Sequence, residues 1–101
     1  MGRMSELLGD DAIEQGLAGL SGWQRDGQAL VRTVELADFP QAIQVVDRVA
    51  ELAERNNHHP DIDIRWRTLT FTCSSHEAGG ITQDDLTLAG GINETISQIQ
   101  G

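Results

Sequence analysis

The sequence predicts an α+β domain in which three helices cover one face of a four-stranded antiparallel sheet, in the order α-β-β-α-β-β-α. Three observations carry that prediction. Apolar residues recur at helical spacing in three separated segments, with two pairs of alternating runs between them. Asp26-Gly27 divides the first pair as a hairpin turn would, since Asp-Gly readily takes the positive φ angles of such turns. In the second pair the apolar parity switches from even (Ile62, Ile64, Trp66) to odd (Leu69, Phe71, Cys73), which no single regular strand can do.

Helix 1 is expected over Asp10 to Leu20, with Ile13, Leu17 and Leu20 on one face and Asp10 and Asp11 capping and charging its start. Gly16 and Gly19 weaken it, and the Gly19 to Gly22 stretch ends it. Two strands follow, Trp23 to Arg25 and Ala29 to Leu36, joined at Asp26-Gly27. Asp38 stands where an N-cap belongs, ahead of a Pro40 that a first helical turn tolerates. Helix 2 should bury Ile43, Val46, Ala50 and Ala53 and turn Asp47, Arg48, Glu51 and Arg55 to water, until Asn56-Asn57 and Pro60 stop it. A tight turn near Arg67 reconciles the two parities and gives strands 3 and 4. Thr82 and Asp85 have capping-box spacing at the start of helix 3, whose buried stripe is Leu86, Ala89, Ile92, Ile96 and Ile99. Gly90-Gly91 costs this helix about 1 kcal/mol per glycine relative to alanine, so it should bend there or lie against another backbone.

Length and composition set the outer limits. With 101 residues, 39% hydrophobic and 23% charged, the chain has the make-up of one globular domain spanning 1–101. A domain this small buries roughly 60 to 70% of its unfolded surface, so a second copy would help it. Sixteen acidic residues against seven basic ones give a net charge of −9, which argues against direct nucleic-acid or membrane binding. The lone Cys73 cannot form an intramolecular disulfide and sits at an alternating position where a small buried side chain fits. No run approaches the ~18 to 20 apolar residues of a membrane span, and the acidic stretch Met1 to Asp11 lacks the regions of a signal peptide. A cytoplasmic location is the expectation.

The segment from Glu54 to Asp85 holds the candidate chemistry. His58 and His59 fall where helix 2 ends, before Pro60, and His76 follows the strand of Leu69, Phe71 and Cys73. Imidazole titrates near neutrality, so these residues can give or take a proton at physiological pH, and a helix C-terminus favours the protonated form of a nearby histidine. Each has a plainer explanation when taken singly. His-His-Pro can be a polar C-terminal cap, His76 a loop residue, Asp85 a capping residue, Glu54 a solvated helix residue and Trp66 a core or interface residue.

Together, Glu54, His58-His59-Pro60, Trp66, His76 and Asp85 at this spacing resemble the signature of the pterin-4a-carbinolamine dehydratases, a family also known for a dimerisation-cofactor role in transcription. The resemblance extends over nearly the whole chain. It takes in Ile13 and Leu17, Gly22-Trp23, Leu30-Val31-Arg32, Asp38-Phe39 and Glu77-Ala78-Gly79-Gly80, with Trp66 standing where tyrosine is common and Gly90-Gly91 less typical. It implies dehydration of 4a-hydroxytetrahydropterin to quinonoid dihydropterin, with tetrahydropterin recycled for aromatic amino-acid hydroxylases and no cofactor. By the same resemblance His58, His59, His76 and Asp85 are catalytic, and Glu54, His59, Pro60, Trp66 and Ser75 bind substrate. A homodimer or dimer of dimers is likewise implied. Two rival readings stand beside it. Three histidines and two carboxylates could hold a metal, although adjacent histidines often point apart and no His-Glu-x-x-His motif is present. A pterin-binding or protein-binding module without turnover is the other, although a pure scaffold has no need of the full set of site residues.

Overall fold

The structure, a computed structural model, describes residues 6–101, so the part of the Met1 to Asp11 stretch formed by residues 1–5 lies outside the described residues. Elements follow in the expected order: α1 (Asp10–Ala18), β1 (Trp23–Asp26), β2 (Ala29–Glu35), α2 (Phe39–Asn56), β3 (Asp61–Arg65), β4 (Thr68–Cys73) and α3 (Gln83–Gln100). The strands form one antiparallel sheet in the order β1-β2-β4-β3. Among the described residues, no helix is long and apolar enough to cross a membrane.

Register explains the parity switch. Ile62 pairs with Phe71 and Ile64 with Leu69, so even residues of β3 share a face with odd residues of β4. The turn between them is Trp66-Arg67, which moves Trp66 out of the strand; its φ is +57°, unusual for a non-glycine residue. The first hairpin shows the same kind of shift. Asp26 pairs with Ala29 inside the ladder, and Gly27, with φ +63°, starts a turn expected one residue earlier.

One face of the sheet carries the core. Leu30, Val34, Leu69, Phe71 and Cys73 point to it and meet Ile13, Val45, Val49, Leu88, Ala89, Ile92 and Ile96 from the helices. The other face presents Thr33 and Glu35, with Thr33 and Thr70 joined by a 3.0 Å hydroxyl hydrogen bond. Helix 1 is two residues shorter than expected, and Gly9, not Asp10, is its N-cap. Asp38 does cap α2, accepting the Gln41 N–H at 2.8 Å. The buried stripe of α2 is Ala42, Val45, Val49 and Ala53; Ile43 and Val46 are half-buried and Ala50 is exposed. The reason is the width of the apolar arc: residues on two adjacent faces are apolar, and only packing against α3 selects which of them goes inward. Trp23 ties β1 to α3 by donating its indole N–H to Asn93 Oδ1 at 2.8 Å.

Candidate active site

Backbone geometry places His58 first. Helix α2 ends with Asn57 in the left-handed region (φ +51°, ψ 42°), and the His58 N–H returns to the Ala53 carbonyl at 3.1 Å. This six-to-one closure is a Schellman-type stop, which asparagine tolerates better than most side chains do. It turns the chain out of the helix and delivers His58 and His59 just ahead of β3.

The second contributor is the start of α3. Thr82 is the N-cap, its hydroxyl accepting the Asp84 N–H at 3.2 Å, while Asp85 Oδ2 accepts the Thr82 N–H at 2.9 Å. Both residues are fully buried. The capping role therefore holds, and it does not exhaust Asp85, whose Oδ1 lies 2.6 Å from His58 Nε2. The third contributor is the end of β4. Just beyond it, the Ser75 hydroxyl donates to Asp85 Oδ2 at 2.8 Å and lies 2.8 Å from the Thr82 hydroxyl. A loop then curls round Ser75, whose carbonyl accepts the N–H groups of Ala78, Gly79 and Gly80 at 3.1, 2.9 and 3.2 Å.

A buried carboxylate is costly unless its oxygens are hydrogen-bonded, and here three donors converge on Asp85. The His58 side chain is 18% exposed, so the imidazole is held on one edge and remains open on the other. Asp85 leaves a trace elsewhere too: burial, then the charges of Asp85 and Asp61, push the Cys73 thiol up to about 12. A separate pair forms at the surface, where His59 Nε2 lies 2.6 Å from Glu54 Oε2 and both side chains are exposed. Adjacent histidines thus engage different carboxylates on different sides.

The remaining candidates divide. His76 directly follows Ser75 with an exposed side chain, one backbone step of about 3.8 Å from the residue that touches Asp85. Pro60 is half-buried between His59 and β3. Trp66 sits apart: it is 71% exposed at the tip of the β3–β4 hairpin, under the Arg67 guanidinium at 5.1 Å, while His58 and Ser75 lie at the hairpin's other end. Five residues of strand, about 16 Å, separate Trp66 from Asp61. Thr82 was legible only as a cap. Its contact with Ser75 joins residues brought together by the fold, and no local pattern signals it.

Comparisons with known proteins bear on the family and the fold. Residues 6–95 match the family model described as Pterin 4 alpha carbinolamine dehydratase. A protein of Nocardia farcinica named "Putative pterin-4-alpha-carbinolamine dehydratase" is 57% identical over 90 residues, covering 89% of this chain and 95% of the relative. A Mycobacteroides abscessus protein of the same name is 53% identical over 92 residues, covering 91% and 98%. Among solved structures, a "transcriptional coactivator/pterin dehydratase" from Brucella melitensis superposes with a TM-score of 0.84 at 27% identity, covering 93% of this chain and 98% of that one. A pterin dehydratase-like protein identified as a RuBisCO assembly factor in the alpha-carboxysome shares the fold, with a TM-score of 0.61 at 17% identity over 73% of this chain and 86% of its own. A family model that runs along most of the sequence, and relatives more than half identical to it, place this chain in the pterin 4 alpha carbinolamine dehydratase family.

Proposed function

We propose that this protein dehydrates 4a-hydroxytetrahydropterin to quinonoid dihydropterin and water, using histidines as acid and base, and so recycles tetrahydropterin for aromatic amino-acid hydroxylases. The observation that carries the reading is the His58–Asp85 pair, an imidazole fixed by a fully buried carboxylate with one edge left open. In the reaction the C4a–O bond breaks, the departing oxygen takes a proton from an acid, and the N5 proton passes to a base. Water and the quinonoid ring result, with no net change in the protein's proton count. His58 and His76 carry these two transfers. His59, steadied by Glu54, holds the pterin beside Pro60.

Ser75 serves this site through Asp85, because its only hydroxyl proton is donated there. Trp66 lies at the far end of the β3–β4 hairpin from His58. The working unit is a homodimer or a dimer of dimers.

A stopped-flow assay that generates 4a-hydroxytetrahydropterin and follows the quinonoid product by absorbance tests the proposal. Wild-type protein should accelerate product formation, and His58→Ala and His76→Ala should each lose about 100-fold or more of that acceleration while staying folded. Unchanged turnover in both variants would remove the mechanism. Folded wild-type protein that binds a reduced pterin without accelerating its dehydration would favour a non-catalytic binding module.

A further inference from the structure

The hydrogen bonds around Asp85 have a forced direction. A carboxylate only accepts, so the Ser75 hydroxyl spends its single proton on Oδ2. The 2.8 Å contact between Ser75 and Thr82 must then be donated by Thr82, whose own oxygen accepts the Asp84 N–H. Thr82 therefore reaches Asp85 Oδ2 twice, once through its backbone N–H at 2.9 Å and once through the polarised Ser75 hydroxyl. A carboxylate only accepts, so at Oδ1 His58 Nε2 has to be the donor across 2.6 Å. Glu54, the carboxylate paired with the neighbouring His59, does not take part.

We propose that Thr82 is a positioning residue whose buried hydroxyl, acting through Ser75 and Asp85, keeps a proton on His58 Nε2 and leaves His58 Nδ1 as the atom that meets the substrate. The substrate part of this statement rests on the dehydratase reading, and the tautomer part does not. An N-cap threonine needs only an acceptor oxygen. The hydroxyl proton is the extra feature, and it points along the chain that ends at His58.

The experiment is nitrogen-resolved NMR of the His58 ring in 15N-labelled protein, at a pH where the imidazole is neutral, together with the stopped-flow assay. Wild-type protein should show Nε2 protonated and Nδ1 bare. Thr82→Val should mix the tautomers and lower kcat about tenfold with KM little changed, while Thr82→Ser should restore both. Ser75→Ala leaves the cap intact and should give the same ring signature as Thr82→Val. Added to Ser75→Ala, Thr82→Val should change the His58 signature no further, because the route is already cut. The proposal is overturned if wild-type His58 carries its proton on Nδ1, if Ser75→Ala leaves the signature untouched, or if Thr82→Val has its full effect in the Ser75→Ala background, as simple loss of a cap would. Wild-type protein without dehydratase activity but with the expected ring signature would sink the substrate assignment and keep the relay.

Discussion

His58 is gripped at two levels, by its backbone N–H on the Ala53 carbonyl and by its ring on Asp85, so the site borrows its order from two helix termini. The same carboxylate also reaches Cys73, whose fully buried thiol is raised from 9.0 to about 12, first by desolvation and then by Asp85 and Asp61. The folded thiol stays neutral at a pH where the unfolded one ionises. Its contribution to stability is therefore complete below about pH 9 and is lost as pH rises toward 12. Few groups compete in that window: the sequence has no tyrosine and no lysine, and of its seven arginines Arg32 is the one that burial lowers from 12.5, so the Cys73 variant isolates the thiol's share. Urea unfolding from pH 9 upward should show stability falling by up to about 1.4 kcal/mol per pH unit, and Cys73→Ala should flatten that slope. An unchanged slope in the variant would assign the loss to another cause. The native thiol should also resist a disulfide reagent at pH 8 until the protein unfolds.

At the level of elements, α3 answers the question raised by Gly90-Gly91. The helix is continuous from Gln83 to Gln100, and what approaches Gly91 is a side chain, not another backbone: a Cβ there would lie 2.6 Å from Leu52 Cδ2. At Gly90 the nearest atom to such a Cβ is Leu20 Cδ2 at 3.8 Å, an ordinary contact. Gly90→Ala should therefore stabilise the fold by up to about 1 kcal/mol, and Gly91→Ala should gain less because Leu52 has to move; thermal unfolding of both variants reads the difference. Equal gains would mean that Leu52 yields freely. The same contrast shows what a sequence can disclose. The Asp38 cap, the Thr82–Asp85 box and the hairpin parity of Ile64 and Leu69 are local chemistry, and all were legible. Which apolar face of α2 turns inward was not, because Val45 and Val46 differ only in what α3 places opposite them. For the site, His58 and Asp85 were legible through the family resemblance and their partnership through the structure, while the Ser75–Thr82 contact needed the folded chain.

For the whole molecule, one sheet face is covered by helices, and among the described residues β1 and β3 are edge strands, each paired on one side only. Phe39, Ile64 and Trp66 remain exposed among residues that a monomer would more often bury. A chain of this size gains from covering such groups with a second copy. Opposing that gain is charge, since every copy carries −9 at neutral pH and brings like charge to any self-contact. Salt should decide the balance, because the Debye length shrinks from about 30 Å at 0.01 M to about 8 Å at 0.15 M and long-range repulsion is screened while apolar contact is not. Light scattering over a dilution series should give two or four times the 11.0 kDa chain mass in 0.15 M salt, with dissociation at higher protein concentration in 0.01 M salt. A monomer at every concentration would remove the second copy from the account, and an assembly that tightens as salt is withdrawn would show it to be held by ion pairs in place of apolar burial.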